Sequence, residues 1–455
     1  MSCFVIDLFS GAGGLTEGFS SEGFDIIAHI EKDFWACETL RTRICYHWLK
    51  AHNRLDIYNN YLRLTQSVQK NASLKEEYFF SRFPELHDLV STRVLNKTFG
   101  NPVQDSGTIS SSEAIKHIAK IAQQNRIQSV SAVIGGPPCQ AYSLIGRGRM
   151  KEHACSDDRN FLFKYYLDIV DEFRPKLFVF ENVPGLLSAH KGQLFPAIRE
   201  EFDRIGYGLV SGANTSDRAN IFDCKDYGVY QTRKRVILFG YLRAAYPQGF
   251  VYPDLKQFVE YLDEPMTTEN VLSDLPSLRV GEGADFWYGE YNHYDKLSQY
   301  QKIMRHGSPG VSNHFARPHR DTDLQIYRMQ IAASLRGEKI SYSQLPESLQ
   351  FHKNSDKKVF EDRFRVHGAH EVPHTIVAHI SRDGHYNIHP ELNQLRSLTV
   401  REAARIQSFP DNYFFEGPRS AQFVQVGNAV PPFLSKIIAK AVRNELDTLE
   451  GNRND

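Results

Sequence analysis

Val130-Ser131-Ala132-Val133-Ile134-Gly135-Gly136-Pro137-Pro138-Cys139-Gln140 is the stretch on which the fold turns. An apolar run of strand length leads directly into two glycines, two prolines and a lone thiol. The prolines fix φ and remove two backbone donors, so the turn is stiff. If the run is a buried strand, Cys139 sits at its carboxyl end, where open α/β sheets place their chemistry. A free cysteine is also a small hydrophobe that fills a core and does nothing else. The thiol alone decides nothing.

Outward from this run a rhythm repeats. Residues 3–9 read as a first buried strand, followed by a glycine-rich turn and a helix from about Leu15. Residues 24–30 read as a second strand, ending at Glu31. From about 33 to 128 the chain is long, polar and mostly helical in character. Its clearest helix spans 113–125, with Ile115, Ile118 and Ile121 at helical spacing. Beyond Cys139, residues 160–173 read as an amphipathic helix and 176–180 as a strand that ends at Glu181. Phe195, Ile198, Phe202 and Ile205 line one helix face, and 235–241 form a further strand. Strands alternating with helices predict an α/β fold with a doubly wound, mostly parallel sheet. From about 243 to 394 that rhythm is lost, which predicts a second, smaller and less regular domain. Residues 374–379 and 383–385 read there as strand, turn and strand. The segment 395–455 is again helical, over 399–409 and 431–446.

The chain of 455 residues is 41% hydrophobic and 24% charged, the composition of a globular protein with a full core. No apolar run approaches the ~20 residues of a membrane span. Residues 1–7 enter a strand-like run without a basic leader, so they do not read as a secretory signal. The six cysteines (3, 37, 45, 139, 155 and 224) form no CxxC pair and no spacing with His that suits zinc. A reduced, cytoplasmic protein without disulfide or metal is expected. Formal net charge is zero, which argues against a nonspecific polycation. A local basic face can still bind nucleic acid.

Asp7-Leu8-Phe9-Ser10-Gly11-Ala12-Gly13-Gly14-Leu15 is a strand, a small-residue turn and a helix start. Its glycines let the backbone approach a ligand. Their spacing is not GxGxxG, which weakens a dinucleotide reading. Glu31 lies 20 positions after Gly11, where an acidic group can accept both hydroxyls of a ribose. Any adenosine-containing cofactor satisfies that reading, and a ligand-free turn with a solvated glutamate is the plain alternative. Polar groups also sit where other strands end: Cys139, Glu181, and Arg233 and Arg235 in Gln231-Thr232-Arg233-Lys234-Arg235. A glutamate after four apolar residues is costly unless paired or used. A Glu–Arg pair that merely closes a sheet edge would satisfy it. Convergence of three such groups with a thiol and a glycine turn points instead to catalysis. A thiolate can add to an electron-poor ring carbon, a carboxylic acid can donate to a ring nitrogen, and a guanidinium can bind a ring carbonyl.

Together these residues resemble the DNA cytosine-5 methyltransferases of prokaryotic restriction-modification type. The resemblance runs almost the length of the chain. It includes the turn 7–19, Gly135–Gln140, Glu181-Asn182-Val183 and the paired arginines. It continues in Arg396-Ser397-Leu398-Thr399-Val400-Arg401-Glu402-Ala403-Ala404-Arg405-Ile406-Gln407-Ser408-Phe409-Pro410 and ends in Gln425-Val426-Gly427-Asn428-Ala429-Val430-Pro431. So many blocks in this order are very specific. The resemblance implies a Rossmann-like catalytic domain over 1–242 with a helical insertion near 45–125. It further implies a target-recognition domain over 243–394, and a C-terminal segment, 395–455, that returns to the catalytic domain. It implies S-adenosyl-L-methionine as cofactor, S-adenosyl-L-homocysteine as product and no metal. Asp7, Phe9, Gly11, Gly13, Gly14, Glu31, Pro138 and Asn428 would hold that cofactor. Cys139 would be the nucleophile, Glu181 the acid, and Arg235 the group that holds the base carbonyl and orients Glu181. Arg233 would support the loop and phosphates. Gln140, Ser143, Arg147 and Arg149 would meet DNA, as part of a loop that closes over it. Double-stranded DNA is the implied partner, bound by a monomer, with a restriction endonuclease as functional counterpart.

The match departs from the family at one point. Cys139 lies 108 positions after Glu31, a long span, and Thr108 stands where an aspartate is expected to touch the adenine. Asp105, Thr108 or backbone alone could read that ring. The insertion can be read as a DNA contact, a protein contact or plain structure. Three other readings compete with the DNA enzyme. A tRNA methyltransferase on the same scaffold would have a shorter variable region. A nicotinamide oxidoreductase leaves Cys139, Glu181 and Arg235 unexplained. A DNA-binding protein that has lost catalysis would not keep every catalytic residue type. In 243–394, Arg317, Arg320, Lys353, Lys357, Lys358, Arg363 and Arg365 give basic character, and the histidines there read as structural or DNA-facing rather than as metal ligands.

Overall fold

The computed structural model describes residues 3–66, 73–103, 105–137, 162–211, 221–291, 296–351 and 361–451. Its centre is a sheet built from β1 (Cys3–Leu8), β2 (Phe24–Glu31), β3 (Val94–Asn96), β6 (Ala132–Gly135), β7 (Leu177–Asn182), β8 (Tyr207–Val210) and β10 (Lys234–Leu242). The order across it is β3-β2-β1-β6-β7-β10-β8. Pairings from β3 through β7 are all parallel, and β10 runs antiparallel to both its neighbours. Short β4 (Thr98–Phe99) and β5 (Thr108–Ile109) pair with each other, and β9 (Phe222–Asp223) pairs with the start of β10. The expected α/β class and mostly parallel sheet are what the chain adopts.

The strands are apolar almost throughout because both faces are covered. On one side Ile6 and Leu8 of β1 join a core with α5 (Ser111–Gln124), α6 (Leu162–Phe173) and α7 (Leu194–Arg204). On the other, Val5 packs with α1 (Gly14–Ser21) and α11 (Pro432–Gly451). α1 and α11 pack closely because Gly18 lacks a side chain. A Cβ there would lie 2.3 Å from the backbone nitrogen of Lys436. The last helix therefore completes the core that the first strand begins.

Three features differ from the sequence reading. The polar stretch after Asp33 holds helices α2 (Phe34–Ala51), α3 (Leu55–Leu64) and α4 (Pro84–Arg93), but also the edge strand β3. Three residues at a sheet edge carry no periodic signal, so propensity could not find them. Helices α2 to α4 share an apolar cluster with Phe414 and with Trp287 of β11 (Gly283–Gly289), which pairs with β12 (Val311–Phe315). The irregular region also contains a full helix, α8 (Asp321–Ser334). Finally, 374–385 is no strand pair. It holds one isolated bridge, Thr232 to His374, and a 3₁₀ turn at Ala378–Ser381. Its backbone is taken by tertiary partners, among them Thr232, whose N–H donates to the carbonyl of Pro373 at 2.8 Å. Two further helices, α9 (Val400–Ile406) and α10 (Arg419–Asn428), precede α11. Among the described residues no helix is long and apolar enough to cross a membrane.

Candidate active site

β1, β2, β6 and β7 all end on one edge of the sheet, and β10 starts there because it runs the other way. Glu181 is the fifth residue of β7, opposite Ile237 of β10. Two residues earlier on the same face of the chain, Arg235 donates from Nε to Glu181 Oε1 at 2.8 Å. Both side chains are only 12% exposed. Glu181 also borders the turn that leads toward Cys139. A Cβ on Gly136 would come within 2.8 Å of Glu181 Oε2. A side chain there would push that carboxylate aside. Asn182 adds a tie that sequence reasoning missed, donating from Nδ2 to the carbonyl of Pro137 at 3.0 Å. Its signal was available as an amide closing an apolar strand beside the acid. Pro138, Cys139, Gln140, Ser143, Arg147 and Arg149 lie outside the described residues.

Arg233 and Arg235 part company. Arg233 is fully buried and its guanidinium donates to three carbonyls, those of Ile376 (2.6 Å), Gly427 (3.1 Å) and Ala429 (3.0 Å). Burial, with the like charge of Arg235 nearby, pulls its pKa down to about 9. The expectation that it supports phosphates fails for that reason, since no face of it is open to DNA. Instead it joins β10 to the variable region and to the turn after α10. Gln231 works alongside it, donating to Gln407 Oε1 at 2.8 Å and accepting from the amide of Ile376 at 2.8 Å.

At the neighbouring strand ends the glycine turn has an unusual backbone. Phe9 has φ 56°, Gly11 has φ 54° and Gly13 has φ 86°. A left-handed Phe is uncommon and marks a constrained turn. Gly11 donates its N–H to Glu31 Oε2 at 2.9 Å, and Asp33 donates to Oε1 at 2.8 Å. Each carboxylate oxygen keeps a further lone pair for a hydroxyl. Burial pushes the Glu31 carboxyl up from its usual range. The ring of Phe9 packs on Phe99 at 5.5 Å, and Phe99 stacks on Tyr165 at 5.0 Å. Tyr165, with residues 100–102 and 110–112, lines an open cavity of about 480 Å³. Asp105 uses its carboxylate within its own turn, accepting from Gly107 N, while the Thr108 hydroxyl donates to the Asp105 carbonyl.

Not every expected cofactor contact faces that space. Asp7 is fully buried, with Oδ2 accepting from Thr16 of α1 at 2.6 Å. Its Oδ1 has no hydrogen-bond partner among the described residues. Asp7 therefore anchors α1 from beneath the turn. Gly14 is pressed against the final block, where a Cβ would lie 2.2 Å from the carbonyl of Val430. Asn428, the last residue of α10, is exposed. The donor set fits an adenosine-containing cofactor: a paired acid at the second strand, an aromatic wall, and a turn free of side chains. No group of three side chains able to hold a metal occurs among the described residues.

Comparison with known proteins agrees with this geometry. The sequence model of the family described as C-5 cytosine-specific DNA methylase matches residues 3–65 and 107–444. A Type II methyltransferase of Bacillus paralicheniformis is 52% identical over 446 residues, covering 97% of this chain and 99% of that protein. A Type II methyltransferase of Desulfomicrobium norvegicum is 31% identical over 455 residues, covering 96% and 88%. The structure of an E. coli prophage-encoded protein, described as a DNA modification methyltransferase, matches with a TM-score of 0.60 and 21% identity. That match covers 98% of this chain and 100% of the other, and shows a shared fold. The chain belongs to the C-5 cytosine-specific DNA methylase family and is a DNA cytosine-5 methyltransferase.

Proposed function

We propose that the protein methylates carbon 5 of a cytosine flipped out of a specific DNA duplex, through a transient bond to Cys139. Cytosine carbon 5 is a poor nucleophile, so the ring must first be activated. The Cys139 thiolate adds to carbon 6 while Glu181 protonates or hydrogen-bonds nitrogen 3, which makes carbon 5 enamine-like. Arg235 holds Glu181 through its Nε, and its remaining donors are suited to the base carbonyl. S-Adenosyl-L-methionine, bound at the glycine turn, supplies an electrophilic methyl carbon. Loss of the carbon-5 proton then expels Cys139. A stacked base is out of reach of the thiol, so extrusion of the nucleotide precedes addition.

The chain's own residues support each assignment. Glu31 is placed to accept ribose hydroxyls, and Phe9 offers a wall to the adenine. α1 starts without a side-chain cap, so its first N–H groups are left for a ligand carboxylate. Arg233 serves as a positioning residue, with residues 243–394 as the target-recognition region and 395–455 as the segment that closes the cofactor side. The Type II names of the relatives support protection of host DNA from a matching restriction endonuclease.

The observation that carries this reading is the Glu181–Arg235 pair at the sheet edge, with Glu181 against Gly136 three residues before Cys139. Tritiated S-adenosylmethionine with duplex DNA or tRNA tests it. Label should enter DNA, and bisulfite sequencing should place it at one cytosine of a fixed motif. Cys139→Ala should abolish turnover and keep cofactor binding. Label on tRNA alone, or methylation retained by that variant, would overturn the reading.

A further inference from the structure

Ala12 lies in the glycine turn, and its carbonyl accepts a hydrogen bond from the hydroxyl of Tyr413, 401 positions along the chain. Both residues are buried. The same hydroxyl fills the space beside Gly13, where a Cβ would lie 2.9 Å from it and 2.8 Å from Leu40 Cδ2. Tyr413 thus fixes both the peptide between Ala12 and Gly13 and the side-chain-free surface that follows.

Tyr413 is itself clamped. The Arg43 guanidinium of α2 lies 4.6 Å from the centre of its ring and 3.8 Å from that of Tyr46. Arg43 donates to Glu17 of α1 at 2.7 Å and to the Asn412 side chain at 2.9 Å. Tyr58 of α3 donates to the Asn412 carbonyl at 2.9 Å. Burial holds the Tyr413 phenol well above its ordinary range, so it stays a donor. A buried carbonyl deprived of its donor is destabilised; Glu31 ties the turn at Gly11, and Tyr413 ties it at the peptide between Ala12 and Gly13.

The geometry points to Tyr413 as a positioning residue for the cofactor, acting through the Ala12 carbonyl to hold the glycine turn in its binding shape. This rests on the reading of that turn as the cofactor site. The residue lies just beyond the stretch 396–410, and its clamp is completed by α3, so the turn is held from outside the sheet.

Tyr413→Phe in the full chain removes only the hydroxyl. Affinity for S-adenosyl-L-homocysteine, measured by calorimetry without turnover, should fall roughly tenfold, the scale of one buried hydrogen bond. The KM for S-adenosylmethionine should rise with it, while kcat at saturating cofactor stays within about twofold. Tyr207→Phe removes an equally buried hydroxyl, which donates to the carbonyl of Pro175 at the far edge of the sheet, and should bind as wild type does. Unchanged affinity in Tyr413→Phe, or an equal loss in Tyr207→Phe, would overturn the assignment. A wild-type protein that binds no cofactor analogue would instead remove the reading on which the assignment rests.

Discussion

Glu181 and Arg235 form an ion pair at the sheet edge where water is scarce. Each side chain is 12% exposed, so neither is cheap to leave without the other. The pair was legible in the sequence because an acid after four apolar residues needs a partner, and the alternation of Gln231, Arg233 and Arg235 supplied one. Which arginine it would be came from the family resemblance rather than from the spacing. The fate of Arg233 was not legible, since its three carbonyl acceptors lie 143 to 196 positions away. Glu181→Gln keeps the shape and loses the proton. Single-turnover methylation should slow by roughly 10²–10⁴-fold, the usual span for general acid catalysis, with cofactor affinity unchanged. A rate within a few-fold of wild type would remove Glu181 from the chemistry.

The elements divide into those that announce themselves and those that do not. β1, β6 and β7 are apolar because two layers of helices cover them, and a continuous apolar run survives any tertiary context. The insertion is different. The family match skips residues 66–106, which include α4, β3 and β4. Leu86 and Val90 of α4 share a cluster with Trp287 and Phe414, positions too distant in sequence to leave a pattern. That packing makes the insertion a brace between the catalytic core and β11. Thr65 reinforces it by accepting from the Trp287 amide at 3.2 Å, and Lys75 bridges Glu38 (2.7 Å) and Glu416 (3.2 Å) from a buried position. The α1–α11 contact is the tightest junction between first and last elements. Gly18→Ala would drive a methyl into the Ser435–Lys436 backbone and should destabilise the protein by about 1–3 kcal/mol or more. Gly289→Ala, where no atom lies within 4 Å of the new Cβ, serves as the control. Urea unfolding of the two variants separates them; equal midpoints would contradict the packing account.

At the scale of the whole molecule, the variable region is held by neutral imidazoles. His314, His367 and His389 are each at most 3% exposed. Burial pulls their pKa values from 6.5 to about 4, about 4 and about 3. In the unfolded chain they take up protons near pH 6.5, whereas the native state refuses them until about pH 4 or below. Their contribution is therefore complete above pH 6.5 and is lost as pH falls toward 4. Glu17 and Glu402, held low by Arg43 and Arg396, lose theirs only below about pH 4.5, so the decline between pH 6.5 and 5 belongs to the histidines. Denaturation midpoints at pH 7.5, 6 and 5 should fall in that order, and a flat series would refute the assignment. The seam where Val430 and Leu434 enter the same core as Val5 and Phe19 has a further outcome. On the ribosome, a nascent chain that has emerged past β10 still presents one greasy flank of its central sheet, awaiting a helix not yet synthesised. That flank stays open to water until α11 has emerged and docked on it.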